Sequence, residues 1–292
     1  MPSLKDLKRK ITAVQKTKQI TRAMNMVAAS KFKSAQMKME NFRPYAGKFM
    51  DVLNSLALRV ETMSHPLLAV RDPRRIRVIC MTSDRGLCGG FNTNLIKATE
   101  RFIKEKIKDG KEVSLIAVGR KGRDFFRKKA NIIAQKTDVL NKFDMTLAVS
   151  IADEVIPFFI KEEYDELYLI YNQFVNVSVQ KPTVVRLFPL PSIGEDADVD
   201  PDRLLDYAYE PSAEALLERL LPMYVHVLVY RALLETSAGE NGARMAAMDN
   251  ATSNCEDLIS TLTLKMNKAR QAAITAELMD IVGGTEALAK SG

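Results

Sequence analysis

What this sequence lacks narrows it quickly. Its three cysteines, Cys80, Cys88 and Cys255, form no metal-ligand spacing and leave an odd thiol, which fits a reducing compartment better than a disulfide scaffold. With only His65 and His226, a histidine-based metal site is not expected. No serine–histidine–acid set, no Cys/His cluster and no lysine-bearing phosphate loop can be assembled, so the reading is no catalysis, no metal and no cofactor. The longest apolar run, near residues 220–230, is interrupted by His226 and falls far short of the ~20 residues of a membrane span, which predicts a soluble or peripheral chain. Helix breakers are missing over long stretches. Residues 243–282 hold neither glycine nor proline, and after Ser3 the first proline is Pro44 and the first glycine Gly47.

Charge is unevenly placed. Residues 1–38 carry ten Lys or Arg against Asp6, a net of +9, while the whole chain is +7, so the rest sums to −2. The basic character is therefore assigned to that one segment, and such polarity implies an anionic partner. From Glu195 to Glu218 there are nine acids against Arg203 alone. The basic start partly imitates a transit peptide but lacks the Arg and Ser enrichment and runs unbroken into the pattern that follows. A nucleic-acid-binding basic helix feeding a zipper is the sharper alternative. Against it, residues 25–30 are small or apolar where phosphate contacts would be wanted.

The breaker-free stretches repeat every 3.5 residues, the period of a left-handed coiled coil. The C-terminal seam runs Met245, Met248, Thr252, Cys255, Ile259, Leu262, Met266, Ala269, Ala273, Ala276. A helix over 212–288 would be roughly 110 Å long. The N-terminal seam runs Ala28, Phe32, Ala35, Met39, Phe42, Ala46, Phe49, Leu53, Leu56, Val60, Met63, with Pro44 expected to kink or loosen the helix without ending the pattern. Before Ala28 it is rougher (Leu4, Leu7, Ile11, Val14, then Ile20, Met24, Val27), which suggests a shifted register. Helices at opposite ends of one chain can pair antiparallel within the molecule. Arg270, Gln271, Thr275 and Glu277 sit among alanines, and from spacing alone they read as a solvated face.

Residues 74–188 change character. Apolar runs at 76–82, 113–118, 132–135, 167–171 and 183–188 alternate with helical stretches at 92–108, 120–128 and 147–160, which predicts an α/β domain with a mostly parallel sheet. The loop Ser83-Asp84-Arg85-Gly86-Leu87-Cys88-Gly89-Gly90-Phe91-Asn92 links strand to helix as phosphate-binding loops do, yet it is neither G-x-G-x-x-G nor a P-loop. The plainer reading is a tight structural turn needing positive φ at Gly86, Gly89 and Gly90. A nucleotide-dependent α/β enzyme stays open as an alternative. The division is then a coiled-coil helix over 1–73, an α/β domain over 74–190, a Pro- and acid-rich linker over 191–211 and a second coiled-coil helix over 212–292.

Three stretches carry a family resemblance: Ala269-Arg270-Gln271-Ala272-Ala273-Ile274-Thr275-Ala276-Glu277-Leu278-Met279-Asp280-Ile281-Val282-Gly283-Gly284; Lys10-Ile11-Thr12-Ala13-Val14-Gln15-Lys16-Thr17-Lys18-Gln19-Ile20-Thr21-Arg22-Ala23-Met24; and the glycine-rich loop. Together they resemble the gamma subunit of rotary F-type ATP synthases, bacterial type. The resemblance implies a shaft of two antiparallel helices with a Rossmann-like globular foot, non-catalytic in itself, at the cytoplasmic face of the bacterial membrane. It implies partners in the alpha and beta subunits of the catalytic ring, the epsilon and delta subunits and the membrane c-ring, and no nucleic acid. It also makes Met24, Arg244, Arg270, Gln271, Thr275 and Glu277 the contacts with the beta subunits. The regulatory disulfide of the chloroplast form is not expected, since the central region has no close cysteine pair.

Overall fold

The computed structural model describes residues 3–57, 65–140, 143–190, 210 and 212–290. The linker expected over 191–211 and the seam positions Val60 and Met63 lie outside the described residues, Glu210 apart. Two helices dominate, α1 (Leu4–Ala57, 54 residues) and α6 (Ala213–Lys290, 78 residues). Ser3 starts α1: its hydroxyl accepts from the Asp6 amide at 3.2 Å and donates to the Asp6 carboxylate at 2.7 Å, a reciprocal cap that satisfies groups a helix end leaves orphaned. The helix runs on through Pro44, which is exposed. The chain forms two compact units, Met1–Val27 with Met245–Gly292, and Ala28–Arg244.

The larger unit is built on five strands: β1 (Arg75–Met81), β2 (Glu112–Val118), β3 (Asn131–Lys136), β4 (Glu166–Phe174) and β5 (Gln180–Phe188), in the order β3-β2-β1-β4-β5. All pairings are parallel except β4 with β5. Because side chains alternate across a strand, Val78 and Cys80 join Leu95, Ile103 and Phe126 on one face, under α2 (Phe91–Lys108) and α3 (Arg120–Phe126). Ile79 and Met81 point the other way, into a larger core with Leu53 and Leu56 of α1, Leu221, Val225 and Leu233 of α6, and α4 (Met145–Asp153) and α5 (Ile156–Ile160). A sheet covered on both faces explains why its central strands read as continuous apolar runs.

The structure corrects two element boundaries. The single helix expected over 147–160 is two, capped at Asp144, whose carboxylate accepts from the Thr146 amide at 3.0 Å, and restarted with Pro157 in the first turn of α5. Proline has no N–H to donate inside a helix, so it sits where none is needed. The last strand begins at Gln180, three residues before the apolar run, because its polar start pairs with β4 through Gln180 and Phe174.

In the smaller unit the two helices run antiparallel: Lys18 bonds Glu256, Thr21 meets Thr252 and Asn25 reaches Met245, so one number rises as the other falls. Here the expected seam needs correction. Ile20 and Val27 point outward, 60% and 58% exposed, while Leu7 and Thr21 are buried and Ile11, Val14, Lys18 and Asn25 are half-buried. Steps of four and three thus continue from Leu7 to Asn25 without a shift. Three polar residues occupy seam positions, which made the pattern look broken in a search for apolar side chains.

Candidate functional site

The polar seam of the smaller unit is a ladder of satisfied groups. The Lys18 ammonium lies 2.7 Å from the Glu256 carboxylate, and the hydrogen bond from Lys18, reinforced by its charge, holds that carboxyl below its ordinary range. One rung on, Thr21 and Thr252 hydroxyls lie 2.8 Å apart, and the Thr252 hydroxyl is also 2.8 Å from the Met248 carbonyl. Asn25 then donates its side-chain amide to the Met245 carbonyl at 2.9 Å. Apolar knobs can slide by a turn at modest cost, but these bonds are met in one register only, so the ladder fixes the helices axially as well as laterally.

The expected contact residues are spread out. Met24 is half-buried beside Asn25. Arg270, Gln271, Thr275 and Glu277 are exposed, and every residue from position 274 to 283 is exposed as well. That segment presents Ile274, Leu278, Met279, Ile281 and Val282, between 50% and 68% exposed. Thr275 spends its hydroxyl on the Gln271 carbonyl at 3.0 Å, which leaves the Arg270 fork and the Gln271 amide as the outward-facing donors. Met24 does not join the group at 270–277, since its neighbours across the seam lie near Met245 and Thr252.

Arg244 lies in the larger unit and faces inward. Its guanidinium bonds the Glu240 carboxylate at 2.7 Å, one helical turn back, and the Gly86 carbonyl at 3.2 Å, and its side chain is 12% exposed. It holds the glycine-rich loop against α6. Burial pushes the Glu240 carboxyl above its ordinary range, although Arg244 pulls the other way. Glu240 and the loop residues Asp84 and Asn92 are all buried, and Glu240 lies outside the stretches that the sequence marks. The i,i+4 spacing of Glu240 and Arg244 was the available signal.

The loop itself is closed by its own side chains. Asn92 accepts from the Ser83 amide at 2.9 Å and donates to the Ser83 hydroxyl at 2.7 Å and the Arg85 carbonyl at 3.3 Å. Asp84 accepts from the amides of Arg120 and Asp138, both at 2.9 Å, so its carboxylate caps the start of α3 and ties the loop to it. The Cys88 thiol is pushed up by burial and packs with Phe91 and Ala243. Positive φ falls at Gly89 (56°) and, unexpectedly, at Leu87 (63°), while Gly90 has φ −82° and Gly86 is not in that region. Gly90 instead serves as a site where a Cβ would lie 3.0 Å from the Asn94 side chain. The closest approach is at Gly119, φ 95°, where a Cβ would lie 2.0 Å from the Thr82 carbonyl oxygen.

Comparison with known proteins covers nearly the whole chain. Residues 3–288 match the ATP synthase family model. The chain is 68% identical over 290 residues to the ATP synthase gamma chain of Syntrophus aciditrophicus, covering 99% of this chain and 100% of that one. It is 48% identical over 289 residues to the gamma chain of Desulfotalea psychrophila, with 99% and 100% covered. Among solved structures, it resembles a chain of the central stalk and c-ring of Tetrahymena thermophila mitochondrial ATP synthase, at 27% identity and a TM-score of 0.61, over 80% of this chain and 99% of that one. It shares its fold with a chain of the OSCP/F1/c-ring assembly of the Euglena gracilis enzyme, at 20% identity and a TM-score of 0.67, over 98% and 94%.

Proposed function

The chain belongs to the ATP synthase gamma-chain family, and on that premise we propose how it works as the central rotor shaft of such an enzyme. It is a non-catalytic subunit that couples rotation to the making or splitting of ATP. The observation that carries the mechanism is the polar ladder Lys18–Glu256, Thr21–Thr252 and Asn25–Met245. Two helices locked in one register transmit torque as a rigid element instead of slipping past each other. A shaft that presents different side chains in different directions presses unequally on the members of a surrounding ring, and turning it changes which member is pressed.

In this reading the ring is three alpha and three beta subunits, and ATP is made there. The larger unit docks on epsilon, and through it or beside it on the membrane c-ring, at the cytoplasmic face of the bacterial membrane; delta belongs to the same assembly. No described helix is long and apolar enough to cross a membrane. Arg270 and Gln271 are proposed as the outward donors to the beta subunits, with Thr275 and Glu277 flanking and Met24 as a separate contact. Arg244 acts at one remove, by seating the glycine-rich loop.

An arginine fork suits carboxylates on the ring, and a charge-assisted bond of that kind contributes roughly 1.5–3 kcal/mol, enough to bias one ring conformation over another but not to hold the assembly together. The test is Arg270→Ala with Gln271→Ala in the assembled complex. Helix content and assembly are expected to stay intact while ATP-driven ion pumping falls severalfold. Full pumping in an assembled double variant would return both residues to the status of a solvated face.

A further inference from the structure

The basic segment at the N-terminus is not the chain's only concentration of positive charge. Residues 91–130 carry twelve Lys or Arg against five acids, a net of +7, equal to that of the whole chain. The sequence hides this, because the charges are interleaved with apolar residues at helical spacing and split by β2. In the fold they gather on the outer surface of α2, α3 and the turn after it.

On α2, Lys97, Arg101, Lys104 and Lys108 recur at steps of four, three and four and are all exposed, so they form one stripe about 16 Å long. Beside the stripe, between α2 and α3, lies a groove of about 300 Å³ with a floor of Ile103, Ile107, Phe126 and Ala130 and with Lys104 and Lys129 on its rim. Ile107 is 56% exposed. Glu100 alone answers two of the rim cations, at 3.2 Å from Lys104 and 3.6 Å from Lys129. Lys97, Arg101, Lys108, Arg127 and Lys128 have no carboxylate within 4.0 Å among the described residues.

We propose that this face docks an acidic helical segment of another protein, with one large apolar side chain seated in the groove and carboxylates on the α2 stripe. The four-three-four spacing of the cations is the spacing of a second helix's own carboxylates, so one helix laid along α2 meets them in series. The apolar floor selects a polypeptide. An anionic membrane surface or a phosphate backbone would engage the lysines and leave the exposed isoleucine and the groove uncovered, whereas an interface wants an apolar anchor ringed by charge. This goes beyond the rotor reading, which names no partner for the outer face of α2 and α3, and stands or falls separately from it.

The experiment places a photo-reactive amino acid at Ile107 in the full chain, assembled in its native membranes. Irradiation is expected to capture one polypeptide through an acid-rich segment, read by mass spectrometry of the joined peptide. Capture should fall at least tenfold with Lys97→Glu, Arg101→Glu and Lys108→Glu together. The milder Lys97→Gln with Arg101→Gln, which keeps helix propensity and leaves assembly intact, should lower it severalfold. Capture of lipid, capture of a segment without acids, yield unchanged by the charge variants, or no capture at all would each overturn the proposal.

Discussion

Thr21 and Thr252 stand 231 positions apart in the chain and share a hydrogen bond of 2.8 Å. The contact ties the register of two helices that local sequence cannot align. Replacing both residues with cysteine is expected to give a disulfide within one chain under mild oxidation, visible as a faster-migrating monomer on a non-reducing gel. A product that forms only between chains would mean a parallel dimer and contradict the antiparallel shaft.

The apolar half of that seam was legible because it obeys a simple period. Met245, Met248, Cys255, Ile259, Leu262, Met266, Ala269 and Ala273 are buried or half-buried positions of α6 that the heptads pick out, while Ala276, expected to extend the seam, is exposed. Lys18, Thr21 and Asn25 were not legible, because a polar residue at a seam position is tolerable only when its partner is present, and that partner lies more than two hundred residues away. The same reason hid Glu240. A buried acid one turn before an arginine looks like an ordinary surface pair until the fold brings the Gly86 carbonyl to the other side of it. The parallel sheet was readable from alternating strands and helices, and only the antiparallel edge, whose start is polar, was cut short.

Arg244→Ala is expected to destabilise the larger unit by about 3 kcal/mol, because it leaves a buried carboxylate without its cation. The pH dependence has a definite sign. Glu240 already titrates above its ordinary range, and without Arg244 it does so more strongly. A raised folded-state pKa gives stability that is present at low pH and is lost as pH rises through that value. Denaturant melts should therefore show the variant close to the parent in mild acid and progressively weaker toward neutrality. Glu240→Gln, which keeps an acceptor for Arg244, should cost much less. Equal losses for both variants at every pH would show that the pair is not the seat of the effect.

Asp165 gives the opposite slope. Burial pushes its carboxyl up, but the amides of Arg75 and Arg74, at 2.7 and 2.8 Å, outweigh it and hold the group below its usual range. A depressed pKa contributes stability above the unfolded value, near 3.9, that is lost as pH falls. Asp165→Asn should cost roughly 1–3 kcal/mol at neutral pH. The gap from the parent should narrow as pH falls below about 4, where the unfolded chain's carboxyl protonates, and close once the folded carboxyl, which titrates lower, protonates too. A gap that stays constant into acid would assign the loss to packing.

Gly119→Ala should be the most damaging of the glycine changes. Its φ of 95° is strained for any side chain, and the new methyl would lie 2.0 Å from backbone at Thr82, which cannot swing away. A loss of about 3 kcal/mol or more is expected from overpacking and strain together. Gly89→Ala, at a φ of 56°, should cost roughly 1–2 kcal/mol. Gly86→Ala, which would meet only the end of the Lys121 side chain at 3.7 Å, should be nearly silent. Thermal melts of the three variants check the order.

As a rotor, this chain turns as a body inside the enzyme. Cys255, the one half-buried thiol, would be replaced by alanine, and a single cysteine placed at exposed Glu112 would carry a bead or gold rod. With the complex fixed to glass through its catalytic ring, ATP is expected to drive sustained rotation of the probe in one direction, stopping when ATP is withdrawn. A probe that stays still while the same complexes hydrolyse ATP at their full rate would contradict the rotor account outright.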